Sequence, residues 1–355
     1  MAQADGQREL EQIHLKGLRV NDEDAEALSN ALISSGAVVR SISLASNDIG
    51  DRGAAALARL LQDEPGYRCM LSSLDLRGND IGGKGCELLS KRIRNNTTLT
   101  TLDLSSNPLG PSGGLHLAEA SWLMLKENFT LEALVVNNTE MTETGFIALI
   151  SILREGNNTV RELSIGGQLL HSREEVAVRH MARMLETPPC MIRKLDLSKS
   201  SIGDEGASLL RAALHRHPTL RVLNLSCNRI GITGGEVLAA LLIEGSDLAE
   251  LSLRANAIGD DGARAFKVVL QNSKTLRMLD LRNNGIGDSG LEALSEGIEW
   301  SASLERLLVW GNLFGQSSLQ KFASLESGRF ALVGVSTDVK VFVVDGVYQA
   351  AEKQA

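Results

Sequence analysis

The residues from Gly78 to Gly85 read "GNDIGGKG" and match the spacing G-x-x-x-x-G-K of a loop that binds nucleotide phosphates. Such a loop needs a serine or threonine after the lysine to reach Mg²⁺, and this chain has Gly85 there. The same glycines recur in other segments, for example as Gly287 and Gly290 in "NNGIGDSG". A structural role in a repeated turn is therefore favoured over nucleotide binding.

Other residue types that could do chemistry also lack a suitable pattern. An aspartate recurs at Asp75, Asp103, Asp196 and Asp280, but an outward aspartate in "LDL" is ordinary for a repeated strand. The six histidines have no spacing typical of a metal site, and no serine or cysteine stands in a recognisable nucleophile elbow. The sequence therefore predicts no catalytic, cofactor-binding or metal-binding residues, and a protein that is not an enzyme.

A candidate protein-binding surface lies toward the C-terminal end. Equivalent outward positions of three successive strands carry Arg254, Arg282 and Trp310, whereas the middle of the chain has mostly small polar residues there. Arginine and large aromatic residues are enriched at the centres of protein interfaces, and Arg282 is expected to stack on Trp310. With their neighbours they form the C-terminal patch: Arg254, Met278, Asp280, Arg282, Arg306, Leu308 and Trp310. Two interpretations stay open, because either a partner protein binds this patch or the chain's own C-terminal segment covers it.

These residues are placed by a unit that the chain repeats about eleven times, with the pattern LxxLxLxxNxIGxxG. The alternation around Leu279 predicts a short strand with its leucines inside, and Asp288 is expected to cap the helix that follows. The Asn of the pattern is expected to bond backbone groups of neighbouring turns, and its recurrence every 28 to 32 residues predicts a solenoid. The residues at this position are Leu18, Asn47, Asn79, Asn107, Thr139, Gln168, Ser200, Asn228, Asn256, Asn284 and Asn312. A local change of curvature is expected where Thr139, Gln168 and Ser200 replace Asn.

The 28-residue and 29-residue units with an IGxxG turn resemble the ribonuclease-inhibitor-type leucine-rich repeat. The resemblance implies an α/β fold, namely a right-handed solenoid or horseshoe with a parallel β-sheet on the concave face and helices on the convex face. The predicted regions are an N-terminal extension at 1–9, the repeat domain at 10–325 and a C-terminal capping segment at 326–355.

Composition narrows the classes of partner. The net charge of -8 disfavours a surface for nucleic acid or an anionic membrane. Four cysteines are too few for a disulfide scaffold, and no apolar stretch has the length of a signal peptide or a membrane span. The expected partners are other proteins within a multi-subunit complex in the cytoplasm, without nucleic acid, membrane, cofactor or small-molecule substrate.

The segment "DVKVFVVDGVYQ" from Asp338 to Gln349 is an apolar, strand-like run outside the repeat pattern. A terminal repeat exposes an apolar layer and an open strand edge unless something covers them. The side chains predicted to cover that layer are Val341, Phe342, Val343, Val347 and Tyr348.

The succession "VWGNLF" and "DVKVFVVDGVY" resembles the C-terminal end of a group of ribonuclease-inhibitor-type repeat proteins. The resemblance implies non-enzymatic interaction in the axoneme of cilia or flagella, or in the nucleolus. The leading hypothesis is a scaffold that serves as a structural or regulatory subunit of the axoneme, in the radial spoke or the dynein regulatory region. The alternatives are a nucleolar interaction protein and a GTPase-activating protein for Ran, a family with the same repeat type but typically with an acidic C-terminal region, whereas this chain ends in "YQAAEKQA".

Overall fold

The computed structural model describes residues 9–111, 115, 130–168, 174–327 and 335–353. By its internal contacts the chain divides into two compact units. The first comprises Met1–His171 and Thr187–Ile192, and the second comprises Ser172–Glu186 and Arg193–Ala355. The division falls next to Gln168, in the repeat whose turn motif is degenerate. The proposed boundaries at residues 10 and 325 stay predictions.

In the first unit six short strands pair in parallel, each with the next along the chain. The strands are β1 Glu9–His14, β2 Val38–Ser43, β3 Ser73–Asp75, β4 Thr101–Asp103, β5 Ala133–Val135 and β6 Glu162–Ser164. The described helices are α1 Asp22–Ser35, α2 Asp51–Ala58, α3 Gly83–Ile93 and α4 Glu143–Gly156. Helix α2 packs between α1 and α3.

The second unit continues the same alternation. Its parallel strands are β7 Lys194–Asp196, β8 Val222–Asn224, β9 Glu250–Ser252, β10 Met278–Asp280, β11 Arg306–Leu308 and β12 Ser336–Thr337, each paired with the next. Its helices are α5 Glu174–Glu186, α6 Asp204–Leu214, α7 Ile232–Ile243, α8 Gly259–Asn272, α9 Asp288–Glu299 and α10 Gln316–Ser327. Consecutive helices pack side by side. The alternation of parallel strands and helices confirms the predicted α/β class.

The core explains the leucine spacing. Leu279 and Leu281 are fully buried, as are their counterparts Leu251 and Leu253 in the preceding repeat. The residues between them point to the opposite side of the sheet, because successive side chains of a strand alternate. We call the sheet surface that faces away from the helices the open face.

The asparagine position links neighbouring repeats through buried hydrogen bonds. The Oδ1 atom of Asn228 accepts hydrogen bonds from the N–H groups of Ser200 at 2.9 Å and Ile202 at 3.0 Å, both in the preceding repeat. Its Nδ2 atom donates to the carbonyls of Leu197 and Leu225 at 3.0 and 2.8 Å. One side chain therefore satisfies four backbone groups that would otherwise be buried without partners.

Gln168 shows how a degenerate repeat keeps this function. Its Oε1 atom accepts hydrogen bonds from the Thr139 hydroxyl and the Met141 N–H, both at 3.1 Å. Its Nε2 atom donates to the Val136 carbonyl at 2.6 Å. The longer amide thus reaches the groups that an asparagine serves elsewhere.

Aspartates connect the helices of successive repeats, and here one expectation was wrong. Asp288 does not cap its own helix α9, whose N-cap is Gly287 without a side-chain bond. Its carboxylate instead accepts hydrogen bonds from Gly315 N–H at 3.0 Å and Ser318 N–H at 2.8 Å, at the start of α10. The sequence alone hides this because the acceptor and donors lie one repeat apart.

An equivalent contact, made by Asp51 at the start of α2, argues against nucleotide binding by "GNDIGGKG". The N–H groups of Gly82 and Gly85 donate to one oxygen of Asp51 at 2.7 and 2.8 Å. A phosphate would need those N–H groups at the helix start. An aspartate carboxylate already occupies the position, so these glycines belong to the repeat turn.

A second recurring polar position closes the turn between each helix and the next strand. Asn96 accepts hydrogen bonds from Thr98 and Leu99 N–H at 2.9 and 2.6 Å. In the repeat of β8 the residue at this position is His217, whose Nδ1 atom accepts a hydrogen bond from Leu220 N–H at 3.2 Å. Its Nε2 atom is buried without a hydrogen-bond partner. Burial, followed by the charge of Arg221, lowers the pKa of His217.

His217→Asn is expected to reduce the loss of stability at mildly acid pH. Since the folded protein disfavours protonated His217, the unfolded chain binds more protons below pH about 6.5, and stability falls as the pH drops through that value. At pH 5.5 this costs at most about 1.4 kcal/mol for one histidine. Urea unfolding at pH 7.5 and 5.5 measures the difference. Equal losses in wild type and variant would contradict the assignment.

The C-terminal tail contacts the last repeat, and its most buried residues are not those predicted to cover it. Strand β12 pairs in parallel with β11, and Val335 and Val339 on either side of it are buried, with 6% and 1% exposure. All five predicted covering residues belong to a hairpin of β13 Val339–Val344 and β14 Val347–Glu352. There Val343 and Val347 are 56% and 48% exposed.

The hairpin is anchored to the last helix. The Gln316 side-chain amide exchanges two hydrogen bonds with the backbone of Tyr348, at 2.8 and 2.9 Å. A two-stranded sheet has two faces, and only one can lie against the helix. This is why the apolar alternation of the tail did not identify its buried residues.

Candidate protein-binding site

An open groove lies on the open face of the second unit, across β7, β8, β9 and β10. Its volume is about 550 Å³, within the range of ligand-binding sites. Small side chains such as Ser198, Ser226 and Ala255 form much of its lining, and longer charged side chains stand among them. Its lining residues are Lys194, Ser198, Lys199, Val222, Leu223, Asn224, Ser226, Cys227, Glu250, Ser252, Arg254, Ala255, Met278, Asp280, Arg282 and Asn283.

The groove contains four of the seven residues of the C-terminal patch, namely Arg254, Met278, Asp280 and Arg282. Arg254 is exposed, and Met278 is half-buried. Arg306, Leu308 and Trp310 follow on β11 and just beyond it, outside the groove lining. The patch residues therefore fall into a groove part and a part next to the tail.

Asp280 and Arg282 form a tight ion pair rather than two independent surface charges. The Arg282 Nε and Nη2 atoms lie 3.0 and 2.7 Å from the two Asp280 oxygens, and the hydroxyl of Ser252 donates to the same carboxylate at 3.2 Å. Asp280 is only 4% exposed. Its hydrogen bonds are the main cause of the raised pKa of Arg282. Removing Arg282 would leave a buried carboxylate without its cation, which costs stability.

Trp310 does not serve the role expected of it. Its ring lies 6.4 Å from the ring of Phe314, measured between centroids, and Phe314 in turn lies 6.0 Å from Phe322. The guanidinium of Arg282 forms two hydrogen bonds with the Asp280 carboxylate. The contacts of the two side chains are therefore with Asp280 and Phe314, and the expected stacking of Arg282 on Trp310 is not among them.

The tail reaches this end of the patch. Asp338 accepts hydrogen bonds from Val309 N–H at 2.8 Å and Trp310 N–H at 3.2 Å, and its carboxylate lies 4.0 Å from Arg282 Nε. Burial raises the pKa of Asp338 despite these hydrogen bonds and the nearby cation. The chain's own segment thus contacts the patch at Trp310 and at Arg282, the groove residue next to the tail.

Sequence reasoning missed the residues that directly follow the outward strand positions. Lys199, Cys227, Ala255 and Asn283 all line the groove and have φ between 53° and 57°. In this left-handed conformation the backbone turns, so that two successive residues can border the open face. Each of these residues directly precedes the Asn position of its repeat. The repeat pattern could therefore have identified them as groove residues.

The other residues that could do chemistry are the histidines, cysteines and carboxylates. Within the described ranges no three residues of the types His, Cys, Asp and Glu come together as a metal-binding group. Cys69 and Cys86 are buried, whereas Cys227 is exposed in the groove. Among the helices in the described part of the chain, none has the length and apolar character that crossing a bilayer requires.

The repeats, the parallel strands and the open face define a leucine-rich repeat fold. Seven segments match the family model described as Leucine Rich repeat, at residues 38–58, 68–90, 95–118, 189–210, 216–239, 246–267 and 272–295. The ribonuclease inhibitor of Sus scrofa is 30% identical over 184 residues, which cover 52% of this chain and 38% of the inhibitor. These matches support the ribonuclease-inhibitor type of repeat.

Other similar proteins contain the repeat in different settings. The NACHT, LRR and PYD domains-containing protein 12 of Mus musculus is 30% identical over 238 residues, covering 60% of this chain and 22% of that protein. This chain therefore spans less than half the length of the curated relatives it matches. A crystal structure of an internalin from Listeria monocytogenes is similar over 88% of this chain and 82% of its own, with 15% identity and a TM-score of 0.45.

Proposed function

We propose that this protein is a non-enzymatic scaffold that binds partner proteins through the groove and the adjoining C-terminal patch. The observation that carries the proposal is the open groove of about 550 Å³ over β7 to β10, bordered by the exposed side chains of Arg254 and Lys199. Leucine-rich repeat proteins generally bind other proteins, and the seven segments that match the repeat model support the proposal. The alignments cover less than half of each relative, so what those proteins bind does not define a partner for this chain.

The setting we propose is a large assembly, with the axoneme of cilia or flagella as the first candidate. The support is the tail, whose segments "VWGNLF" and "DVKVFVVDGVY" resemble the C-terminal end of leucine-rich repeat-containing protein 34. In the axoneme the chain would be a structural or regulatory subunit of the radial spoke or the dynein regulatory region. Its groove would bind a neighbouring subunit. The nucleolus is the second candidate setting on the same resemblance.

Ser226→Trp is expected to weaken partner capture about tenfold or more by filling the groove. The Ser226 hydroxyl lies 2.7 Å from that of Ser252 on the open face, so an indole at this position projects into the groove rather than into the core. Blocking a central interface position typically costs at least 1.4 kcal/mol, or about tenfold in affinity. The measurement is affinity capture of the tagged chain from ciliated cells, with quantitative mass spectrometry.

Ser208→Trp is the matched control, because Ser208 is exposed on helix α6, outside the groove lining. Partners lost with Ser226→Trp and retained with Ser208→Trp support binding through the groove. Partners retained equally by both variants would refute it. Co-sedimentation of the tagged chain with isolated axonemes tests the setting, and concentration in nucleoli would favour the second candidate.

A further inference from the structure

The charge of the groove is opposite in sign to that of the whole chain. The chain carries a net charge of -8, but the groove lining has four cationic side chains against two carboxylates. These residues are Lys194, Lys199, Arg254, Arg282, Glu250 and Asp280. A cleft that concentrates one sign of charge attracts ligands of the other sign.

The two carboxylates offer little to a basic partner. Asp280 is 4% exposed, and its oxygens accept hydrogen bonds from Arg282 and Ser252. Glu250 begins strand β9, whereas Arg254 lies four residues later, beyond the end of that strand. Asp280 is therefore already paired, and Glu250 lies at the other end of its strand from Arg254.

The cations that are available are Lys199 and Arg254. Both side chains are exposed, and within the described part of the chain neither is in an ion pair. They follow β7 and β9, two strand spacings or about 10 Å apart. An extended peptide that crosses the strands covers this distance in about three residues.

The floor between these cations suits a polypeptide better than a nucleic acid. Ser198, Ser226 and Ala255 are small, so a peptide backbone can approach the sheet closely. The groove lining includes no aromatic ring on which a base could stack, and two available cations are few for a phosphate backbone.

We infer that the groove receives an acidic segment of a partner protein, with carboxylate side chains bound by Lys199 and Arg254. This inference rests on the proposed function and adds the chemical class of the partner. Carboxylates two or four residues apart lie on one face of an extended peptide, about 7 or 14 Å apart, and these separations bracket the distance between the two cations. The complementarity raises the rate of association and selects against basic partners.

The probe is a labelled eight-residue peptide that alternates glutamate and serine, compared with one that alternates glutamine and serine. Fluorescence anisotropy with the full chain should show the glutamate peptide binding at least about tenfold more tightly, and weakening between 50 and 300 mM salt. The double variant Lys199→Gln, Arg254→Gln should weaken it about fivefold or more. The control pair Arg216→Gln, Lys274→Gln removes the same charge outside the groove lining and should leave affinity within about twofold.

Several results would overturn the inference. They are no binding of the glutamate peptide at about 1 mM, equal binding of both peptides, or equal loss in the double variant and its control. Tighter binding of a single-stranded oligonucleotide of the same net charge would also overturn it. If cellular partners are lost with Ser226→Trp but retained by the double variant, the acidic class is wrong while the proposed function stands. If Ser226→Trp itself has no effect, the proposed function fails.

Discussion

Asn228→Leu is expected to lower the free energy of unfolding by about 3–5 kcal/mol. The substitution removes an amide that bonds Ser200 and Ile202 N–H and the Leu197 and Leu225 carbonyls. Ser200 and Ile202 are 4% and 1% exposed, so water cannot replace the lost partner without local opening. Each buried donor or acceptor left without a hydrogen bond costs about 1–3 kcal/mol. Urea unfolding followed by circular dichroism measures the loss.

Asn272→Leu is the control for this change, since Asn272 is exposed on helix α8 and donates one hydrogen bond, to the Val268 carbonyl at 2.8 Å. It should change stability by no more than about 0.5 kcal/mol. If Asn228→Leu is no more destabilising than this control, the asparagine position does not connect the repeats energetically, and the leucine core alone would have to account for the stacking.

The repeat made the fold predictable. Leu279, Asn284 and the glycines of the turn occur at fixed intervals, and a pattern that recurs many times specifies one strand and one turn per unit. Contacts between units could not be inferred in the same way. Asp288 bonds Gly315 and Ser318 because stacking brings residues of different repeats together, and the spacing within one unit does not show this.

The lining of the groove could be predicted from the sequence only in part. The outward strand positions indicated Arg254 and Arg282, which line the groove, because side-chain alternation is a local property. Lys199 and Cys227 were missed since they border the groove through left-handed backbone, with φ of 54° and 57°. The pairing of Arg282 with Asp280, two residues away on the same face, was available from the sequence, whereas the contact of Trp310 with Phe314 was not part of the strand pattern.

Gly290→Ala is expected to destabilise the protein by about 1–3 kcal/mol, although alanine is the better helix former. Gly290 lies in the first turn of α9, where an added Cβ would stand 2.6 Å from Ile286 Cγ2 and 2.7 Å from Asp260 Oδ1. Asp260 cannot withdraw freely, because it accepts hydrogen bonds from the Ser289 hydroxyl at 2.7 Å and Gly287 N–H at 2.5 Å. These bonds, the one from Ser289 foremost, hold the pKa of Asp260 below its usual range.

The cause of this loss can be separated from a general effect of alanine. Gly203→Ala, at the N-cap of α6, meets no atom closer than 3.9 Å and should cost about 1 kcal/mol or less, the loss expected because alanine is a poorer N-cap residue than glycine. Asp260→Ala removes the obstructing oxygen, so the cost of Gly290→Ala should be smaller in that background than in wild type. Equal costs in the two backgrounds would show that the Asp260 carboxylate does not set the glycine requirement, and would leave the contacts with Ile286 Cγ2 and with the Asp260 Cα atom, at 2.9 Å, as its cause.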